Sequence, residues 1–545
     1  MKKILYGTLA ILAASLMLSS CEKAFELERP NQQPWQNVQE LELAVQSPYM
    51  YITERPWANA LGMLPYRGFA ESDMAFYIGQ GGNSHHAAYA NRLYNTYVLD
   101  QMIELEGAFL YLYYIPQQTN AALKLYTDAE DAGRDVDSEP FPNMSDSDKA
   151  LARRYKGELL FMRAVANWYL VQTWCPPYTK ENKDGKYIPL KKTYVNSADA
   201  LKNAELASVE DFYNSIEADL TKAIDLLTEE YPTESGSSRM RVNKSCARAM
   251  LARVLFYKGA NDNKAKILSL LNDVVKTGMY SLDADPLSPF FTVGAQAGNE
   301  TIWQICYAAD NTDRFDRNPG IFSYYAYNNP SSYLSFYLSP TGMVKIGWLD
   351  PNTAMLTDLA KNKDKRFPAL FHVATPSDVD AWTKIRPAVA KIAGVPDAAL
   401  ANPEIMPIVC LNKYFRGPDN ASKNKGYRYA NRPLIRYADV LLMRAQVNLL
   451  SGNKDAARED FNMVRKRAGV DPIPQGVEVT EQDIEIEWIR ENIGENASRL
   501  LWLVGMQKDI PCSETQTKVI KYPYENMYYQ VPVAESLNNN AYHAN

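Results

Sequence analysis

The chain has 545 residues, more than one compact hydrophobic core usually holds, so two lobes or a stacked architecture are expected. Hydrophobic residues make up 46% and charged residues 22%, which indicates a folded globular protein and excludes a disordered one. The net charge is −6 and no basic tract is present, so nucleic acid is not expected as a partner.

The first 20 residues have the parts of an export signal. Two lysines precede an apolar run over residues 4–18, and two serines stand directly before Cys21. This ending resembles the lipobox of bacterial lipoproteins, which implies cleavage before Cys21 and acylation of its thiol. The alternative is an ordinary secretory signal followed by a chance cysteine. The other five cysteines are widely spaced and lack a CxxC pair, so we expect most of them to be small buried residues.

Helical spacing of apolar residues predicts the early elements. A helix is expected over 38–50, and another over 97–114 that Pro116 interrupts. Residues 153–174 carry apolar side chains on two faces, which predicts a helix packed between neighbours. Residues 62–95 combine glycines with aromatic residues without a helical period, which predicts a long irregular loop region of functional interest.

Two later segments resemble each other. Residues 244–277 and 432–468 each contain an apolar helical stripe, then a glycine (Gly259 and Gly452), then a second stripe. Both have the length of a tetratricopeptide-like hairpin, and stacked hairpins bury their apolar faces against each other. Between them, residues 282–430 lose helical periodicity, and residues 318–344 contain seven Tyr or Phe but no Asp, Glu, Lys or Arg. We interpret this interval as an aromatic loop insertion on a helical scaffold.

Several motifs occur in a consistent order along the chain. They are Glu158-Leu-Leu-Phe-Met-Arg163-Ala164, Arg241-Val242-Asn243-Lys244, Asn299-Glu300-Thr301-Ile302-Trp303, Asp364-Lys365-Arg366, Ile435-Arg436-Tyr437-Ala438-Asp439, and Arg467-Ala468-Gly469. Their order and spacing resemble the SusD/RagB family of outer-membrane lipoproteins of the Bacteroidetes. The match weakens at Glu495–Arg499, where the family's Glu-Gly-x-Arg motif is one residue longer in this chain.

The resemblance implies a mostly α-helical fold with tetratricopeptide-like hairpins, long loop insertions and a few short strands. It implies that residues 21–545 form one nutrient-binding domain, whose N-terminal part spans about 21–240. It also implies lipid anchoring in the outer membrane, facing the cell exterior, and partnership with a TonB-dependent outer-membrane transporter, a SusC-like barrel. Family members capture oligosaccharide, or in some branches peptide, for the barrel to import.

The sequence gives no constellation typical of an enzyme. It contains no H-E-x-x-H, no G-x-S-x-G and no P-loop, so no catalytic residue, metal or cofactor is expected. A surface hydrolase remains an alternative, because two cooperating carboxylates among 64 acidic residues cannot be identified from sequence. A helical scaffold or adhesin without a small ligand is the other alternative.

Sugar rings have apolar C–H faces and polar edges, which aromatic rings and Asn, Asp or Arg side chains complement. The two loop regions supply such residues, and the candidate ligand-binding set is Trp57, Tyr66, Arg67, Asp73, Tyr77, Asn83, Tyr324, Tyr325, Tyr327 and Trp348. For each of them, packing within the core is the alternative. The motif residues Arg436, Tyr437, Arg465 and Arg467 are expected to hold helices together rather than to touch ligand.

Overall fold

The structure is a computed structural model of the chain. It describes residues 35–53, 73–77, 103–197, 202–232, 238–290, 296–306, 336–377, 386–411, 431–496, 498–513 and 519–543, together with residues 200, 292, 382, 383 and 413. Within these ranges the protein is mostly α-helical, with a few short strands, as the sequence predicts.

The first half of the chain supplies five helices and four strands in the described residues. They are α1 (Val38–Thr53), β1 (Ala75–Tyr77), α2 (Ile103–Asp131), α3 (Asp146–Trp174), β2 (Lys186–Pro189), β3 (Leu206–Ser208), α4 (Val209–Leu226), α5 (Lys244–Lys276) and β4 (Thr301–Ile305).

The second half supplies eight helices and six strands in the described residues. They are β5 (Phe336–Leu338), α6 (Pro340–Lys345), α7 (Arg366–Leu370), β6 (Phe371–Val373), α8 (Arg386–Ile392), β7 (Val409–Leu411), β8 (Arg432–Arg436), α9 (Tyr437–Leu450), α10 (Lys454–Arg467), α11 (Glu481–Asn492), α12 (Ser498–Gly505), β9 (Ile510–Ser513), β10 (Val519–Tyr522) and α13 (Val533–Asn538).

Helix α3 forms the centre of the N-terminal part. Ser145 caps its start by accepting a hydrogen bond from the Asp148 amide, and two aspartates in the first turn face the positive end of the helix dipole. From Leu159 to Trp174 almost every side chain is buried, because α1, α2 and α4 pack around the helix. The predicted helix with two apolar faces is therefore confirmed.

Pro116 does not end helix α2, and this prediction was wrong. The helix continues through Pro116 to Asp131, and the Thr119 hydroxyl donates to the Pro116 carbonyl. An interior proline costs about 3 kcal/mol. Packing of α2 against both α1 and α3 outweighs that cost, which sequence periodicity alone does not reveal. Residues 97–102 of the predicted helix lie outside the described residues.

The two segments predicted as hairpins are broken at the predicted glycines. Helix α5 leaves helical geometry at Gly259, where φ is 148° and ψ is 100°. Helices α9 and α10 are separated by a turn at Gly452 and pack against each other. Helix α9 also packs on α5, so the two segments stack as predicted.

The strands pair only in twos within the described residues, and each pair is antiparallel: β1 with β5, β2 with β3, β4 with β8, β6 with β7, and β9 with β10. The β4–β8 pair joins two family motifs, because Thr301 lies opposite Arg436. This pairing places Glu300 beside Arg436 in the interior.

The interval 282–430 contains more regular structure than its periodicity indicates. Its described part includes α6, α7, α8 and the β6–β7 pair, and a second small core forms there around Val389, Met406 and Ile408. These elements have seven residues or fewer, too short to show a period.

Cys175, Cys246 and Cys410 are buried and Cys306 is half-buried, in agreement with the sequence analysis. Among the described helices, none has an apolar stretch long enough to cross a bilayer.

Candidate functional site

The pairing of β1 with β5 connects the two loop regions from which the candidate ligand residues were drawn. Tyr77 lies opposite Phe336, and Ala75 lies opposite Leu338. Because the pair is antiparallel, the exit of β1 and the entry of β5 are at the same end. Residues 78–102 leave from that end and residues 307–335 return to it. We call this two-stranded element the ribbon.

The other end of the ribbon is fixed by Ser339. Its amide donates to the Met74 carbonyl over 2.9 Å, and its hydroxyl donates to the Asp73 carbonyl. The same hydroxyl accepts from the Gly342 amide over 2.9 Å and so caps helix α6. The ribbon therefore has a rigid base at the residues where helix α6 begins.

The Asp73 side chain anchors the ribbon to the core. It is 5% exposed, and its carboxylate lies 3.3 Å from Lys345 Nζ and 3.4 Å from Arg499 Nε. Glu485 of α11 lies 2.6 Å from the same lysine and 2.8 Å from the same arginine. This corrects the ligand-binding prediction for Asp73, because its carboxylate is buried and occupied by two cations.

Trp348 is also a structural residue, and its assignment to the ligand surface was wrong. Its side chain is 0% exposed, and its indole N–H donates to Asp364 over 3.3 Å. The rings of Phe367 and Phe371 pack edge-on against it, each with a centroid separation of 5.2 Å. A ring with no exposed face cannot stack on a sugar. Aromatic composition alone could not show that Trp348 is a core residue and differs in this from the aromatic residues of the uncharged segment before it.

Tyr77 is placed in the ribbon by its backbone, opposite Phe336. Its side chain lies outside the described residues, as do Trp57, Tyr66, Arg67, Asn83, Tyr324, Tyr325, Tyr327 and the predicted lipid-bearing Cys21. The assignment of these residues to ligand or lipid stays a prediction.

Two of the motif arginines join elements in the interior, as the sequence analysis predicts. Arg436 donates to Glu495 over 2.8 Å and 2.7 Å, to Glu300 over 2.5 Å and to Glu491 over 2.9 Å. Arg467 donates to the same Glu300 over 2.8 Å and also to Glu491. Two arginines thus share two carboxylates in the interior.

The other two motif residues have structural contacts as well. Arg465 donates to Glu487 over 3.2 Å and to the Asp471 carbonyl over 2.8 Å. Tyr437 is 6% exposed, and its ring stacks on Tyr280.

Glu491 is the most strongly charge-compensated carboxylate of this cluster. Burial by itself raises the pKa of Glu491, but the positive charges of Arg467, Arg436 and Arg366 outweigh it and hold the pKa well below its usual range. Lys413 adds a fourth positive charge and donates to the Glu491 carbonyl over 2.9 Å. Glu491 therefore remains ionised, and the cluster joins α7, α10, α11, the end of β8 and the segment around Lys413.

The first and last residues of the divergent motif Glu495–Arg499 both make buried ionic contacts. Glu495 accepts from Arg436 and Lys413, and Arg499 contacts Asp73 at the base of the ribbon. The sequence analysis missed Lys345 and Glu485, which complete this contact. Lys345 and Glu485 are 140 residues apart and belong to no quoted motif, so no sequence signal connected them.

The described residues show no arrangement typical of metal chemistry. No group of three or more His, Cys, Asp or Glu side chains in these ranges could hold a metal ion. His372 is half-buried in β6, where burial lowers its pKa. Its neighbour across the strand pair is Cys410 of β7.

Two family profiles match the chain. The profile described as the SusD family matches residues 299–499, and the profile described as starch-binding associating with outer membrane matches residues 111–256. Together they span more than half of the chain and include the ion cluster, α9, α10, α3 and α4. The fold and both matches define a SusD-like protein, and the chain belongs to the SusD family.

Solved structures share the fold at low sequence identity. A SusD superfamily protein from Bacteroides thetaiotaomicron is 16% identical, with a TM-score of 0.70 over 93% of this chain and 98% of that one. A SusD-like carbohydrate binding protein from Bacteroides vulgatus is 17% identical, with a TM-score of 0.63 over 93% and 97%. Surface glycan-binding protein A from Bacteroides uniformis is 16% identical, with a TM-score of 0.61 over 92% and 98%. No curated protein sequence matches the chain.

Proposed function

We propose that this protein is a cell-surface lipoprotein that binds glycan and delivers it to a TonB-dependent outer-membrane transporter. The observation that carries the proposal is the pairing of Tyr77 with Phe336. It connects two segments rich in aromatic and amide residues at one end of a rigid ribbon. The ligand surface is formed by these segments, and the buried ion cluster keeps their base in place.

Membership of the SusD family supports glycan as the ligand class, since structural relatives of the chain include glycan- and laminarin-binding proteins. The mode of action is binding without turnover. Rings such as Tyr324 and Tyr325 stack on the C–H faces of sugars, and amide side chains such as Asn83 bond their hydroxyls.

Calorimetric titration with maltoheptaose and laminarin tests the ligand surface. We expect one of these glycans to bind, and we expect Tyr324→Ala and Tyr325→Ala each to weaken affinity about three- to tenfold, because a stacked ring is lost. Met463→Ala is the control, because this exposed α10 side chain is not part of the ribbon or its segments.

The ligand would be peptide rather than glycan if two results were obtained together. No glycan of a wide panel would bind, and peptides would bind with an affinity that Tyr324→Ala and Tyr325→Ala each lower. Glycan cleavage by the purified protein, abolished when one pair of carboxylates is mutated, would instead support a hydrolase. Chromatography of the glycan after overnight incubation separates binding from cleavage.

Capture of the protein from gently solubilised outer membranes tests the transporter partnership. A TonB-dependent β-barrel is expected to copurify in a stoichiometric amount. Recovery of the lipoprotein alone, or with other surface proteins only, would remove delivery from the proposal and favour a scaffold or adhesin.

A further inference from the structure

A second concave site lies away from the ribbon, between the N-terminal half of α2, the end of β2 and the C-terminal helix α13. Its volume is about 610 Å³, which is within the range of small-molecule binding pockets, roughly 300–1,000 Å³. Three aromatic residues of α2 line it, together with the charged side chains of Lys191, which follows β2, and Glu535 of α13. No motif of the sequence analysis falls in this cavity.

Two adjacent tyrosines of α2 form its aromatic wall. Tyr113 is buried, and its hydroxyl donates to the Pro189 carbonyl over 2.7 Å. Tyr114 is 39% exposed, and its ring is held between Tyr51 at 5.5 Å and Tyr111 at 5.8 Å between centroids. An exposed ring fixed by two neighbouring rings is a preorganised stacking surface.

The polar groups of the cavity have unused hydrogen-bonding capacity. The ammonium group of Lys191 lies 5.0 Å from the Tyr113 ring centroid, and no carboxylate of the described residues is within 4.0 Å of it. Burial lowers the pKa of Lys191, and the negative charge of Glu535 partly opposes this effect. The Gln117 amide nitrogen donates to the Val195 carbonyl, while its buried amide oxygen accepts no hydrogen bond from the part of the chain that the structure describes.

The backbone around the cavity is largely occupied. Most of the wall is the interior of helix α2, whose backbone groups bond mainly within the helix, and the Pro189 carbonyl is taken by Tyr113. An extended peptide is recognised mainly through backbone hydrogen bonds. A ligand that offers an apolar ring face and several hydroxyls fits these side chains better than a peptide does.

We propose that this cavity is a second saccharide-binding site, in which a sugar ring stacks on Tyr114 and its hydroxyls bond Lys191, Gln117 and Glu535. The ligand class rests on the proposed function, but the site shares no residue with the ribbon. A chain with two such sites could hold one glycan at two points or retain a released end, which raises avidity without a new high-affinity contact.

The test uses full-length protein in lipid nanodiscs and three probes: maltose, laminaribiose and cellobiose. Binding is measured by saturation-transfer NMR and calorimetry for wild type, Tyr114→Ala, Lys191→Met and the double variant Tyr324→Ala/Tyr325→Ala. We expect at least one disaccharide to bind, with affinity lowered about three- to tenfold by Tyr114→Ala and by Lys191→Met. The double variant and the control Leu43→Ala, an exposed α1 side chain, should leave this binding unchanged.

Protection of Lys191 from reductive methylation, followed by mass spectrometry, gives a readout on wild-type protein that does not depend on a variant's folding. A bound disaccharide is expected to slow modification of Lys191 but not of exposed Lys276. No protection by any probe, or disaccharide binding that is insensitive to Tyr114→Ala and Lys191→Met, would overturn the second site. Peptide binding that both substitutions weaken would also overturn it.

The two proposals fail separately in this design. Loss of maltoheptaose or laminarin binding in Tyr324→Ala/Tyr325→Ala, with Lys191 protection by a disaccharide retained, supports both sites. If a disaccharide protects Lys191 but the double variant binds larger glycans with wild-type affinity, the ligand surface on the ribbon is contradicted and the second site is not.

Discussion

All three guanidinium nitrogens of Arg436 donate to buried side chains, and the residue is 1% exposed. Its partners are Glu300 just before β4, Glu491 at the C-terminal end of α11, and Glu495 in the turn after α11. Removing one partner of a buried ion cluster leaves the others with uncompensated charge, which typically costs 3–5 kcal/mol or so.

We therefore expect Arg436→Met to lower the free energy of unfolding by about 3–5 kcal/mol in urea titration. Lys454→Met is the control, because Lys454 at the start of α10 pairs with Glu478, and the two side chains are 52% and 66% exposed. Such a pair contributes about 0–1 kcal/mol. Equal destabilisation by the two substitutions would contradict the role assigned to the cluster.

At the scale of elements, two glycines that follow helices differ in how closely neighbouring segments pack against them. Gly452 after α9 and Gly469 after α10 have φ values of 80° and 77°. A side chain at Gly452 would meet open space, whereas a Cβ at Gly469 would lie 2.8 Å from the Lys363 carbonyl oxygen. The Lys365 amide donates to the Ala468 carbonyl over 2.9 Å and holds the two segments together.

Gly452→Ala should therefore lower the free energy of unfolding by about 1–2 kcal/mol, the cost of left-handed backbone for a non-glycine residue. Gly469→Ala should cost about 1–3 kcal/mol more, because it also displaces a packed segment. Thermal and urea unfolding of both variants gives the difference. If the costs are the same, the contact between residues 363–365 and the end of α10 does not restrict this position.

The same scale explains what could be predicted from sequence. Long periodic segments such as α3, α9 and α10 were predictable because their apolar faces are repeated over several turns. The structural role of Arg436 and Arg467 was predictable from the cost of burying an unpaired charge. The ribbon was not predictable, because its strands have three residues each, and its base joins Ser339 to Asp73, 266 residues apart. Asp73 and Trp348 were misassigned because composition does not encode burial.

At the scale of the whole molecule, the ion cluster makes stability depend on pH. The folded protein holds the pKa of Glu491 well below its usual range because Arg467, Arg436 and Arg366 outweigh the effect of burial. An acid with a depressed folded-state pKa stabilises the fold above its unfolded pKa, about 4.3 for Glu. That stabilisation is lost as the pH falls toward the folded-state pKa.

We expect the stability difference between wild type and Glu491→Gln to be largest above about pH 5 and to narrow below about pH 4.3. Urea unfolding at pH 7, 5, 4 and 3 measures this difference. Glu478→Gln, at a carboxylate that is 66% exposed beside Lys454, should differ little from wild type at every pH. A gap that stays constant or widens in acid would mean that Glu491 is not held ionised by the cluster.

Attachment of the whole molecule to a membrane depends, in our proposal, on one atom, the Cys21 sulfur. The segment before it has a basic start, an apolar run over 4–18 and small residues at the cut site, the arrangement expected of an export signal. Growth of expressing cells with an alkyne-tagged palmitate tests acylation directly. Wild type and Cys512→Ala should carry the tag, and Cys21→Ala should carry none, whether or not its signal is cleaved. If Cys21→Ala carried the tag at the wild-type level, the lipid would be attached elsewhere and the lipoprotein proposal would be contradicted. An untagged wild-type protein would contradict the proposal as well.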